Sequence, residues 1–164
     1  AVAMLRGEPT TWIEHAHALH AAQSQRAYVV EERHVVQTVS SGHTLEFRAP
    51  DLTASRLYLV DIATSNWEGR EAIALHYRGL RGCRLTIVAI ETGGDVDTVP
   101  AAATDDSHAW QYDGFAFTVI AEGMDANRFA SVADFAQAAI VAPVEDQKLR
   151  TAMAETQQFA RSCA

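Results

Sequence analysis

The stretch AIALHYRGLRGCRLTIVAI, residues 72–90, decides the fold. Its two halves, 72–78 and 83–90, are apolar or β-branched at most positions, and the connector 79–82 contains two glycines. This pattern predicts two antiparallel strands joined by a tight turn, because β-branched residues favour strands and glycine adopts the turn conformations. The hairpin predicts an antiparallel sheet at the centre of the chain.

Short strand patterns lie on both sides of this hairpin. Upstream they cover 35–39, 45–48 and 56–63, and in the last of these the alternation places Leu57, Leu59 and Asp61 on one face. Downstream, the Asp113-Gly114 pair between two strand-like runs predicts a second tight hairpin, with arms at 110–112 and 115–121.

Helical patterns lie at both ends of the chain. Residues 10–26 follow Pro9 and begin with two threonines, with Glu14 three residues after the second, which is typical of a helix start. Asp125 can cap a second helix, and Pro143 ends that helix. The pattern of residues 144–161 predicts a third helix. Strands in series flanked by helices predict an α+β fold. We expect an antiparallel sheet of five to six strands, an N-terminal helix and one or two C-terminal helices.

Composition narrows the class of protein. The 164 residues carry a net charge of −8, which argues against nucleic-acid binding, since phosphate contacts need clustered lysine and arginine. The sequence has no run of about 18 apolar residues of the kind that spans a membrane. The length suits one globular domain.

Histidines are the first candidates for chemistry. His15, His17 and His20 lie close together in the first helix, and His34 follows. His17 and His20 are three residues apart, so they share a helix face and are weak candidates for metal ligands. Without a third ligand they are better interpreted as surface histidines. We therefore predict no metal and no cofactor.

Two further groups leave alternatives open. Cys83 and Cys163 form either a disulfide or two separate thiols, and the sequence favours separate thiols, with Cys83 a small buried residue in a strand. Arg78, Arg81 and Arg84 flank the central turn and form either an anion site or an ordinary charged hairpin tip, which is the favoured interpretation. With no nucleophile or phosphate-binding motif present, the sequence predicts a protein that is not an enzyme.

Four segments in order resemble the extracytoplasmic C-terminal domain of proteobacterial membrane-anchored anti-sigma factors. They are AYVVEERHVVQTV (27–39), RAPDLTASRLYLVD (48–61), ALHYRGLRGCRLTIVAI (74–90) and WQYDGFAFTVIAEGMDANRFASVADFA (110–136). The chain departs from that family at Val60-Asp61-Ile62, where the family commonly has a Gly-Gly pair.

The resemblance implies a sensory domain on the periplasmic side of the inner membrane. Residues 1–26 would be a juxtamembrane helical stalk, 27–142 an α+β sensor-like domain and 143–164 a C-terminal helix. A transmembrane helix upstream would anchor the protein, and a cytoplasmic domain would bind an extracytoplasmic-function sigma factor. An unknown periplasmic signal or protein would act on the outer domain.

Two alternatives remain. The chain could be a non-catalytic interaction domain with an unknown partner, or a small-molecule enzyme whose site the sequence does not reveal. The first differs from the anti-sigma interpretation only in its partner, and the second requires catalytic side chains brought together by the fold.

Overall fold

The computed structural model describes residues 11–32, 38–40, 46–92, 106–141 and 147–159. Their elements, in chain order, are α1 (Trp12–Ser24), β1 (Thr38–Ser40), β2 (Glu46–Arg48), a 3₁₀ turn (Thr53–Ser55), β3 (Tyr58–Trp67), β4 (Arg70–Arg78), β5 (Arg84–Glu91), β6 (Ser107–Tyr112), β7 (Phe115–Glu122), α2 (Ala126–Val141) and α3 (Gln147–Phe159).

The predicted α+β fold is confirmed. Strands β3 to β7 form a five-stranded sheet in the order β3-β4-β5-β7-β6, and every neighbouring pair is antiparallel. Strands β1 and β2 form a separate two-stranded sheet. The predicted central hairpin is β4–β5, in which Ala72 pairs with Ile90 and Arg78 with Arg84.

The five-stranded sheet is covered on both faces, so its central strands are buried almost throughout. Alternate side chains of a strand point to opposite faces, which divides the core in two. On one face α1 packs against small and β-branched residues: Ala72, Ala74, Val88, Ile90, Ala116 and Ile120. On the other face the core includes residues of α2, α3 and the β1–β2 sheet: Phe47, Leu75, Ile87, Phe117, Val119, Phe129, Val132 and Met153.

The predicted helix starts follow from local hydrogen bonds. At the start of α1, Thr11 Oγ1 accepts from the Glu14 backbone N–H at 3.2 Å, and Glu14 Oε2 accepts from the Thr11 N–H at 3.2 Å. This reciprocal capping satisfies two backbone donors that a helix otherwise leaves unpaired. Before α2, the Asp125 carboxylate accepts from the Asn127 N–H at 3.4 Å.

The second predicted hairpin is β6–β7. Its turn residues Asp113 and Gly114 have φ of 50° and 78°, the left-handed values that a two-residue turn between twisted strands requires. Glycine has no Cβ to oppose this conformation, and aspartate tolerates it better than most residues.

Strand β3 differs from its prediction. It runs from Tyr58 to Trp67 instead of ending near residue 63, because its pairing with β4 continues to a two-residue turn at Glu68-Gly69. A bulge between Leu59 and Asp61 also breaks the alternation. Leu59 packs in the core on the α2 side, whereas Asp61 contacts Tyr28 on the α1 side, so the prediction that both share one face is wrong.

Helix α1 packs directly on the sheet, and α3 contributes Met153 to the core beside α2. The stalk assigned to residues 1–26 stays a prediction, but its part from Trp12 to Ser24 is packed against the sheet. Most of the predicted first strand and most of the polar stretch 92–107 lie outside the described residues. Among the described helices, none is both long enough and apolar enough to cross a membrane.

Candidate functional site

Buried polar side chains lie between α1 and the sheet. His76 on β4 and Thr86 on β5 are register partners, and each is 0% exposed. His20 of α1 lies above them at 2% exposed. Because a buried polar group is costly unless it is hydrogen-bonded, three of them in one place indicate an organised network.

Thr86 is the centre of this network. Its Oγ1 lies 2.6 Å from His20 Nδ1 and 2.7 Å from His76 Nδ1. At one end Arg78 Nε donates to His76 Nε2 at 3.1 Å. At the other end His20 Nε2 lies 3.2 Å from Glu122 Oε1. The five side chains come from α1, β4, β5 and β7, so the network ties the helix to the middle of the sheet.

Arg78 and Glu122, at the two ends of the network, fix which nitrogen of each histidine carries a proton. A guanidinium only donates and a carboxylate only accepts, so His76 Nε2 is an acceptor and the proton of His76 is on Nδ1. His76 Nδ1–H therefore donates to Thr86, and the single Thr86 hydroxyl hydrogen donates to His20 Nδ1. The proton of His20 is then on Nε2 and is donated to Glu122. All four hydrogen bonds run in one direction, from Arg78 to Glu122.

Both histidines in this network are neutral near pH 7. Burial, reinforced by the Arg78 guanidinium, lowers the pKa of His76 from its usual 6.5 to about 3. Burial also lowers the pKa of His20, and the Glu122 carboxylate opposes that shift only in part. Neutral imidazoles are what the assigned network requires, since each ring has one donor and one acceptor nitrogen.

A second group of contacts holds the end of α1 and the chain that follows it. Arg78 Nη2 donates to the backbone carbonyls of Gln23, Ser24 and Arg26 at 2.9, 2.9 and 2.7 Å. Its guanidinium also lies 4.9 Å from the centre of the Tyr28 ring. One arginine of β4 thus caps the C-terminus of α1 and supports the segment beyond it.

Asp61 holds the same segment from β3. Its Oδ2 accepts from Tyr28 OH at 2.6 Å and lies 3.5 Å from Gln23 Nε2 and 3.7 Å from Arg26 Nη1. Burial raises the pKa of Tyr28, and the Asp61 carboxylate raises it further, so this phenol stays protonated and donating. The bulge in β3 is what brings Asp61 to this face.

The structure separates the predicted metal candidates. His17 is exposed, whereas His20 points into the sheet and is hydrogen-bonded to Thr86. His15 Nε2 lies 3.0 Å from Ser65 Oγ, and His34 lies outside the described residues. Within the described part of the chain, no group of three potential ligands is arranged to hold a metal.

The three arginines of the central hairpin do not converge on an anion site. Arg78 is directed at α1, Arg81 is exposed at the tip of the turn, and Arg84 is half-buried on the α1 face of β5. Arg78 and Arg84 act instead on the network, since both lower the pKa of His76.

Cys83 is in a disulfide, so the expectation of a free thiol at this position is wrong. It is 0% exposed, as predicted for a buried residue, and it lies immediately before β5. The chain has one other cysteine, Cys163, which is outside the described residues. The sequence could not decide this point, because a disulfide depends on the distance between two residues far apart in the chain.

An open groove of about 580 Å³ lies on another part of the surface. Its lining comes from β1, β2, the β6–β7 turn and the end of α2: Thr38, Glu46, Phe47, Arg48, Tyr112, Asp113 and Ile140. The polar side chains in this lining are all exposed, so none is fixed by burial in the way the network residues are.

The network contains a histidine next to a hydroxyl, but both groups are buried. A histidine beside a hydroxyl is the arrangement of a general base and a nucleophile. Here the hydroxyl is Thr86, which is 0% exposed and lies beneath α1. The arrangement therefore serves to attach the helix to the sheet.

Sequence reasoning missed most of this site, although a signal was present. His76 and Arg78 lie two apart in β4, and Arg84 and Thr86 lie two apart in β5, within otherwise apolar strands. Polar residues at that spacing share one face of a strand, which indicates a polar patch inside the core. Glu122 and His20 carry no comparable signal.

Comparisons with known proteins found no match to a protein family, to a curated protein or to a solved structure.

Proposed function

We propose that this chain is the extracytoplasmic sensory domain of a membrane-anchored anti-sigma factor. Its role would be to control, from the periplasmic side, an extracytoplasmic-function sigma factor held by a cytoplasmic domain of the same protein. The ordered resemblance of segments between residues 27 and 136 motivates the proposal. The observation that carries it is the attachment of α1 to the sheet through Thr86 and Arg78.

This attachment is suited to signalling. In the proposed protein α1 lies between the sheet and the membrane anchor, so any change in the sheet that weakens the network changes the position of the helix. Three of the five buried residues of α1 are polar: His20, Gln23 and Ser24. Polar contacts fix geometry more sharply than apolar ones, because each needs its partner at a set distance and angle.

The disulfide supports the proposed compartment. Disulfides persist in oxidising environments such as the bacterial periplasm and are rare in the reducing cytosol. Cys83 is disulfide-bonded and fully buried. A periplasmic location is therefore consistent with the redox state of this residue.

The contacts of the buried histidines support a role without catalysis. His20 and His76 are the buried histidines of the described chain, and both have their ring nitrogens occupied by contacts within the network. A catalytic base needs a nitrogen that reaches a substrate.

The test uses the full-length parent gene in its native host, with a reporter driven by a promoter of the cognate sigma factor. Deleting residues 27–164 should leave the sigma factor bound by the cytoplasmic domain but uncouple its release from envelope stress. Thr86→Val in the full-length protein should change the stress level at which the reporter responds. The exposed His17→Gln on the same helix is the matched control and should behave as wild type.

Two results would reject the proposal. The first is a deletion strain whose stress-dependent transcription equals that of the wild type. The second is micromolar binding of the sigma factor by the purified 164-residue chain, because the proposal assigns that binding to a different domain.

A further inference from the structure

We propose that α1 is a pH-controlled latch: protonation of His20 and His76 breaks the directed hydrogen-bond network at Thr86 and releases the helix while the rest of the fold remains intact. The inference concerns the chain itself and holds whether or not the protein is an anti-sigma factor.

The direction of the network makes it sensitive to a proton. His76 Nε2 accepts from Arg78 Nε at 3.1 Å, so a proton on that nitrogen would place two donors, both cationic, against each other. His20 Nδ1 accepts from Thr86 at 2.6 Å, so a proton there would deprive the Thr86 hydroxyl of its acceptor. Either event removes a buried hydrogen bond and leaves an unpaired donor.

Charged groups on every neighbouring element bear on these histidines. Protonation of His76 is opposed by three neighbours: Arg78 on β4, Arg84 on β5 and His20 on α1. It is favoured by Asp61 on β3. Burial opposes it most strongly. The docked helix therefore stabilises the neutral form of His76.

His20 has a different balance. Glu122 on β7 favours its protonation, and His17 on α1 and Arg84 on β5 oppose it. Burial is again the largest effect and lowers the pKa of His20. Protonation of either residue is thus opposed by the docked state and allowed by the released state, in which both rings face water.

The sign of the pH dependence follows from these shifts. The pKa of His76 is about 3 when α1 is docked and 6.5 in its usual environment. The docked form is fully favoured above pH 6.5 and is progressively lost as the pH falls from 6.5 toward 3. At pH 5 the equilibrium between docked and released α1 shifts toward release by about 30-fold through His76 alone, since each pKa unit is a factor of ten. His20 acts in the same direction.

Release can be local because α1 packs only against the smaller of the two cores. Its buried apolar side chains are Trp12 and Ala16, half-buried Ile13 and Leu19 pack against the same cluster, and its other buried residues are polar. The larger core, on the opposite face of the sheet, contains no residue of α1. Breaking the polar contacts therefore weakens the docking of the helix without disturbing that core.

The test is hydrogen–deuterium exchange of the complete 164-residue chain at pH 7 and pH 5, corrected for the intrinsic pH dependence of exchange. Peptides covering α1 should lose protection by a factor of tens, while peptides covering β4 and β5 keep theirs. Unchanged protection of α1 at pH 5 would overturn the proposal. So would equal loss of protection in α1 and in β4–β5, which indicates global unfolding.

Three variants assign the effect to the network. His76→Gln cannot take up a proton, so it should reduce the response to acid by about 30-fold. Glu122→Gln keeps an acceptor for His20 but removes the charge that favours protonation of this histidine in the docked state. Docking should then oppose the proton on His20 more strongly, so release should be more extensive at acid pH than in the wild type. Ala18→Gln, at an exposed and uncharged position on the same helix, should leave the release pH unchanged. A His76→Gln response equal to the wild type would reject the role of His76.

One measurement does not depend on any substitution. The ¹⁵N shifts of the imidazoles distinguish the two neutral tautomers and follow protonation directly. At pH 7 His76 should be protonated at Nδ1 and His20 at Nε2, and both should titrate together with the loss of α1 protection. If His76→Gln has already released α1 at pH 7, this titration of the wild-type protein tests whether protonation of the histidines releases the helix. Opposite tautomers, or titration of both rings without helix release, would contradict the proposal.

Discussion

At the residue scale, Arg128 is a buried arginine whose guanidinium holds neighbouring elements together. It lies on α2 and is 0% exposed. Its Nε donates to Ser55 Oγ at 3.1 Å, its Nη2 donates to the Ser55 carbonyl, and its Nη1 lies 3.1 Å from Cys83 Sγ. The planar fork of a guanidinium reaches all three acceptors at once. Arg128 therefore joins α2, the 3₁₀ turn and the disulfide.

Replacing Arg128 should be costly. We expect Arg128→Met to lower the free energy of unfolding by about 2–3 kcal/mol, because buried oxygen atoms of Ser55 would lose their donors. Arg128→Lys should recover only part of this loss, since one ammonium group cannot reproduce the fork. The measurement is urea denaturation, with the exposed Arg48→Met as control. Equal stability of the two methionine variants would refute this role of Arg128.

At the element scale, the two ends of α1 are held in different ways. The N-terminus is capped within the helix by Thr11 and Glu14, three residues apart. The last turn contains no basic residue of its own, and Arg78 of β4 supplies the cation and the hydrogen bonds instead. The start of α1 is thus a local property, whereas its end depends on the sheet.

Removing that cap should loosen one end of the helix. Arg78→Met should increase the exchange of amides in residues 21–26 at pH 7 by about tenfold, equivalent to about 1.4 kcal/mol. Amides near Thr11 and Trp12 should change less, because their cap remains. Arg81→Met, at the exposed tip of the same hairpin, is the matched control. A uniform change along α1 in the Arg78 variant would show that Arg78 does not act as a C-terminal cap.

At the scale of the whole molecule, the disulfide at Cys83 leads to a prediction about the number of free thiols. The chain has two cysteines, and Cys83 is bonded. Thiol titration of the oxidised protein in denaturant should therefore detect no free thiol, and reduction should release two per chain. Reduction should also lower stability by about 2–4 kcal/mol, because it relaxes a constraint on the unfolded chain. One or two free thiols per chain before reduction would contradict this prediction.

The sequence by itself determined the elements and the fold class, because these depend on neighbouring residues. The Thr11–Glu14 cap, the Asp113-Gly114 turn and the apolar and β-branched runs in residues 72–90 each act over a few positions. Such patterns state which face of an element is buried. They led to the α+β fold with a five-stranded sheet at its centre.

Only the tertiary structure decided the site. His20 and Thr86 are 66 residues apart, and Arg78 caps a helix that ends more than 50 residues before it. The apolar runs around His76 and Thr86 indicate that both are inside, but they do not say which helix covers them or which side chain completes their hydrogen bonds. The bulge that turns Asp61 toward α1 even reverses the face that alternation predicts. Partners across an interface are set by packing of the whole chain, and a local pattern carries no information about them.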